Sequence, residues 1–154
     1  MSTPASIRRH PIHPMLIVFP IALWIFSLIC DLIYHAGPHN VFWKEVAFYS
    51  IVAGVIGAVL AAIPGFIDYL SLSNRRLKRI ATTHMILNII VLALFLVNLG
   101  IRYTGSSGSE LSAVVLSIVA IALLAVSGWL GAALVYVHGV GVETSTSKED
   151  KRAA

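Results

Sequence analysis

Apolar residues run along this chain in four long blocks, at about 14–34, 46–70, 77–101 and 111–138, separated by short polar links. A hydrocarbon core of about 30 Å takes roughly 20 helical residues at about 1.5 Å each, and every block reaches that length. The blocks are continuously apolar, without the alternation and closely spaced turns of a transmembrane barrel, so the pattern predicts membrane-spanning helices. Links as short as HAGPHN and YTGSSGSE join antiparallel neighbours. The expected fold is therefore all-α: an integral membrane four-helix bundle, up-down-up-down, over residues 10–142. Residues 1–9 read as an N-terminal tail. Residues 143–154 are polar and charged without apolar periodicity and read as a disordered tail.

Composition places the same chain outside the soluble class, with 58% hydrophobic and 12% charged residues and a mean hydropathy of +0.87. The basic residues are unevenly shared. Arg8 and Arg9 precede the first block, Arg75, Arg76, Lys78 and Arg79 lie between the second and third, and Lys148, Lys151 and Arg152 follow the fourth. The opposite side holds only Lys44 and Arg102, so the positive-inside rule predicts both termini in the cytoplasm. The net charge of +4 then reflects topology and contact with anionic headgroups of the bilayer. With no basic patch interleaved with aromatics, nucleic acid is not an expected partner. The first block is too long for a signal h-region and lacks an Ala-x-Ala cleavage site, so it reads as a retained helix. Cys30 is the lone cysteine and has no internal disulfide partner.

In a bilayer, small and polar residues mark the faces where helices meet. The second helix carries Gly54, Gly57, Ala58, Ala61 and Gly65, with Asp68 one turn further along the stripe and Pro64 a point where it can bend. On the third, His84, Asn88, Phe95, Asn98 and Arg102 fall within about 40° of one line at roughly 100° per residue. The first carries His13, Ile17, Pro20, Trp24, Ser27 and Asp31, and the fourth Ser117, Ala120, Ser127, Gly131 and His138. At the outer end, Asp31 and Arg102 share depth and inward faces, which predicts an ion pair. At the cytoplasmic end, His10, His13, Asp68, His84 and His138 arrive from all four helices and predict a cluster of metal-competent donors. Pro14 suits a first helical turn, where its missing N–H is not needed. His35 and His39 lie in the outer link and read as solvated. A bland alternative treats the inner histidines as interfacial, with Asp68 capping or pairing with Arg75.

The stretches HPIHPMLIVFPIALW (10–24), PGFIDYL (64–70), HMILN (84–88) and GWLGAALVYVHGVGV (128–142) resemble, in order, the signatures of a bacterial membrane-protein family, domain of unknown function 2231. The resemblance covers nearly all of the chain between its tails. It implies a multi-pass protein of the bacterial inner membrane and, through related domains fused to Rieske-type or cytochrome-like modules, a link to membrane electron transfer. The matching positions are His10, His13, Asp68, His84 and His138.

Three functional readings follow. In the first, the cluster is a redox or metal site: either His84 and His138 ligate a haem b whose propionates reach Arg75 to Arg79, or His10 or His13, His84, His138 and Asp68 bind one zinc, iron or copper ion. In the second, Asp68 and His84 titrate along a proton or ion pathway lined by Asn88 and Asn98, within a homo-oligomer. In the third, the chain is a membrane anchor or assembly subunit. Covalent haem attachment is excluded because Cys-x-x-Cys-His is missing. No nucleophile–base constellation, phosphate loop or His-Glu-x-x-His helix supports a stand-alone enzyme.

Overall fold

Two asparagines decide where the central helices begin. In the computed structural model, which describes residues 3–8, 10–105 and 109–142, Asn40 Oδ1 accepts from the Phe42 N–H at 3.0 Å. Asn74 Oδ1 likewise accepts from Arg76 at 2.9 Å and Leu77 at 3.3 Å. Each side chain satisfies amides that a helix start leaves without partners. The two helices therefore begin ahead of the apolar blocks, at Val41 and at Arg75. The order is β1 (Ser6–Ile7), β2 (His10–Pro11), α1 (Ile12–Leu16), α2 (Val18–Ala36), α3 (Val41–Leu70), α4 (Arg75–Thr104) and α5 (Ser109–Ala132). A π-helical turn, Ala133–Val137, continues α5. The strands form one antiparallel ladder, Ser6 opposite Pro11 and Ile7 opposite His10. The expected tail at 143–154 lies outside the described residues.

Among the described residues, four stretches are long and apolar enough to cross a membrane: Ile12–Ala36, Val41–Leu70, Arg75–Thr104 and Glu110–Val137. α2 packs on α3 and α4 on α5, forming two hairpins, and contacts of α3 with α4 and of α2 with α5 close the bundle. Large apolar side chains such as Phe19, Ile56, Ile63, Ile89, Leu96 and Val126 point outward. Small and polar ones, including Ser27, Ala47, Ala61, Asn98, Ser117, Ala120 and Ser127, are buried. This distribution suits lipid as the surrounding solvent, because apolar burial does not drive helices together there and close backbone approach does.

Large residues inside are few. Trp24, Ile51, Val91, Phe95, Ala120 and Leu124 form the central core, in which Trp24 stacks on Phe95 with ring centres 4.2 Å apart and planes 15° from parallel. Gly54 makes room for the indole, since a Cβ there would lie 2.4 Å from Trp24 Nε1. That buried indole N–H has no acceptor among the described residues.

The ion pair expected between Asp31 and Arg102 is present. Arg102 Nη1 and Nη2 donate to Asp31 Oδ1 and Oδ2 at 2.9 and 2.5 Å. Arg102 Nε donates to Asn98 Oδ1 at 2.6 Å, and Asn98 Nδ2 donates to the Ala113 carbonyl and to Ser117 Oγ at 2.7 and 2.9 Å. A fork-on-fork pair backed by a further amide leaves little of either charge unsatisfied. His35 and His39, at this same end, are exposed and flank Tyr34.

Candidate functional site: an imidazole pair at one end of the bundle

At the end of the bundle opposite the ion pair, His13 and His84 face each other. Their ring centres are 6.3 Å apart and their planes lie at 87°. Each ring reaches a backbone carbonyl of the next helix in its hairpin. His13 Nδ1 donates to the Ala61 carbonyl at 2.8 Å, and His84 Nδ1 donates to the Ser127 carbonyl at 2.8 Å. Only a protonated nitrogen donates to a carbonyl, so in the neutral form of either ring Nε2 carries the lone pair. Backbone anchoring of one imidazole nitrogen is the usual device that orients the other as a ligand.

Glycines form the floors on which the rings lie. A Cβ at Gly65 would be 2.7 Å from His13 Nδ1, and one at Gly131 would be 2.9 Å from His84 Cε1. No larger residue fits at either place without displacing an imidazole. The two Nε2 atoms differ in their surroundings. Asn88 Nδ2 donates to His84 Nε2 at 3.1 Å and to the His84 carbonyl at 2.9 Å. Ser127 Oγ lies 3.0 Å from His84 Nδ1. Among the described residues, no side chain caps Nε2 of His13 in the manner of Asn88.

The wider donor cluster does not form: among the described residues, no group of three or more His, Cys, Asp or Glu side chains is placed to hold a metal ion. The single-ion site drawn from His10 or His13, His84, His138 and Asp68 is corrected accordingly, and each departure has a local cause. His10 is exposed in the β-ladder rather than on a helix, with Nδ1 held to the Arg8 carbonyl at 3.0 Å. Asp68 Oδ1 accepts the Ala5 N–H at 2.9 Å and so ties down the N-terminal segment. His138 follows the π turn, where its own N–H bonds to Ala133. A π turn closes i to i+5 and holds more residues per turn than an α-helix, so a stripe drawn at 100° per residue slips beyond Gly131. The ring that faces His84 is therefore that of His13, not His138.

Pattern reading also passed over the acceptors: neither the Ala61 nor the Ser127 carbonyl is visible as a functional group in a sequence. Glycines four residues after each of them, Gly65 and Gly131, are the nearest signal.

The model of the family described as predicted membrane protein, domain of unknown function 2231, matches residues 9–144. The chain belongs to this family. No curated protein and no solved structure matches it. Membership accords with four candidate spans and leaves chemistry to be argued from the imidazole pair itself.

Proposed function

We propose that this protein is a multi-pass subunit of the bacterial inner membrane, with both termini inside, whose His13 and His84 hold one redox-active metal centre for membrane electron transfer. The observation that carries the reading is the pair of facing imidazoles, each oriented through Nδ1 by a carbonyl of the neighbouring helix. With metal–nitrogen bonds of about 2.0–2.1 Å, two imidazoles opposed across one ion put their ring centres roughly 6 Å apart, close to the 6.3 Å separation here. His13 and His84 would hold haem b iron, or a single iron or copper ion, and that centre would supply one-electron transfer; a zinc ion, which undergoes no redox change, would make the pair structural. Asn88 would have to turn away from His84 Nε2 for both donors to engage. Arg75, Arg76 and Arg79 at the start of α4 are exposed at the same end of that helix, where they suit haem propionates or a redox partner such as a Rieske or cytochrome module.

Absorption spectroscopy and metal analysis of protein purified from membranes, then titrated with ferric protoporphyrin or with each metal ion, test the reading. A Soret band with reduced α and β bands, or one metal ion per chain, is expected in the parent protein and in His138→Ala, with loss in His13→Ala and in His84→Ala. Protein that takes up neither probe would refute the reading. That result would favour a membrane anchor, in which each histidine is an interhelical staple between a side chain on one helix and a carbonyl on the next.

A further inference from the structure

Contacts across the middle of the bundle join residues at constant separations. His13 faces His84, Trp24 stacks on Phe95 and Asp31 pairs with Arg102, and each pair is 71 residues apart. On α3 and α5, Lys44 pairs with Glu110 at a separation of 66. That same separation relates Ala61 to Ser127, whose carbonyls receive the two imidazoles, and Gly65 to Gly131, on which the rings lie. Buried positions follow the rule as well: Pro20 with Val91, Ser27 with Asn98, Ala47 with Ala113 and Ile51 with Ser117. From His13 to Asp31 the pairs span about 27 Å of helix at about 1.5 Å per residue. Two parallel helices of equal rise keep one register whether or not they are related, so the repeat is carried by the match of the paired groups: imidazole with imidazole, aromatic ring with aromatic ring, and each imidazole bonded to a carbonyl four residues ahead of the glycine it lies on. A residue meeting its own counterpart is the mark of a two-fold axis.

We infer that the chain is an internal repeat, two copies of one helical hairpin at residues 12–70 and 83–137, related by a two-fold axis along the bundle, with His13 and His84 as equivalent positions facing across that axis. Resting on the ligation proposed above, this equivalence narrows the ligand to one centre that accepts the same donor atom from each copy. The copies have diverged in compensating ways. The larger ring, Trp24, lies over Gly54, whereas its smaller counterpart, Phe95, belongs to the copy in which Ala120 replaces the glycine. Arg102 is held by Asn98 one turn earlier, and Asp31 has Ser27 at that place.

Exchange between the copies tests the inference on the full-length protein in detergent, read as the thermal unfolding midpoint. W24F/F95W moves the indole over the Cβ of Ala120 and is expected to lower the midpoint. Adding G54A/A120G gives each ring the floor of its own copy and is expected to recover most of that loss. A quadruple variant no more stable than the double, or unable to fold, overturns the repeat. The ion pair supplies an independent exchange. D31R and R102D alone each place like charges together in a buried site and are expected to abolish folded yield. D31R/R102D with S27N/N98S is expected to restore it, and no restoration overturns equivalence. Neither exchange involves the histidines, so failure of the ligation reading appears separately, in the spectra of the histidine variants.

Discussion

Asn88 is the residue that makes the two imidazoles unequal. Its amide occupies Nε2 of His84, while the corresponding position one turn after His13 is Ile17, whose side chain has nothing to donate. A neutral hydrogen bond is worth about 0.5–1.5 kcal/mol net, so any ligand of His84 must overcome roughly that amount. Asn88→Leu is expected to tighten ferric protoporphyrin binding by about threefold to tenfold in a spectroscopic titration, and weaker binding would assign Asn88 a holding role instead. The glycine floors allow a prediction about stability. Gly131→Ala puts a methyl group 2.9 Å from His84 Cε1 and should cost about 1–3 kcal/mol, as overpacking does. Gly100→Ala, with open space around its Cβ, is the control and should leave the unfolding midpoint unchanged or raise it. At this scale the sequence displayed donor types well. It could not display carbonyl acceptors, which every residue carries and only helix contact selects.

Among the elements, helix starts and faces were legible because they depend on neighbours close in the chain. Asn40 and Asn74 cap by reaching two or three residues ahead, and the polar seam of α4 follows directly from helical periodicity. The Asp31–Arg102 pair was legible too, since two opposite charges at equal depth on inward faces have few other ways to be satisfied. Removing one partner of a buried pair costs about 3–5 kcal/mol, because a bare charge stays behind. Asp31→Ala and Arg102→Ala should each lose roughly that much in detergent unfolding, with the double variant no worse than either. Additive losses would mean that the two residues act independently. Asp68, expected to point into the bundle toward the donor cluster, has a different partner. It holds Ala5, 63 residues away, and Asp68→Ala should speed hydrogen exchange across residues 3–8 while exchange in α4 stays unchanged. The π turn had no sequence signal, and it is what separates His138 from the line of Gly131.

For the molecule as a whole, charge asymmetry predicts orientation independently of packing. With cysteines placed singly in a Cys30→Ser background, His39→Cys should react with membrane-impermeant maleimide in intact cells, and Lys78→Cys only after permeabilisation. The reverse pattern would invert the bundle. Apolar block length and basic-residue bias sufficed for the number of candidate spans and for this expectation, because hydropathy and charge act through the solvent each segment meets, whatever the segment packs against. Which histidine meets His84 was settled by rotation and register between helices. Those depend on contacts such as His13 to Ala61, 48 residues apart, and His84 to Ser127, 43 apart. No local periodicity encodes such contacts, so the donor cluster read from four separate helix faces resolved into a single pair only when the helices were brought together.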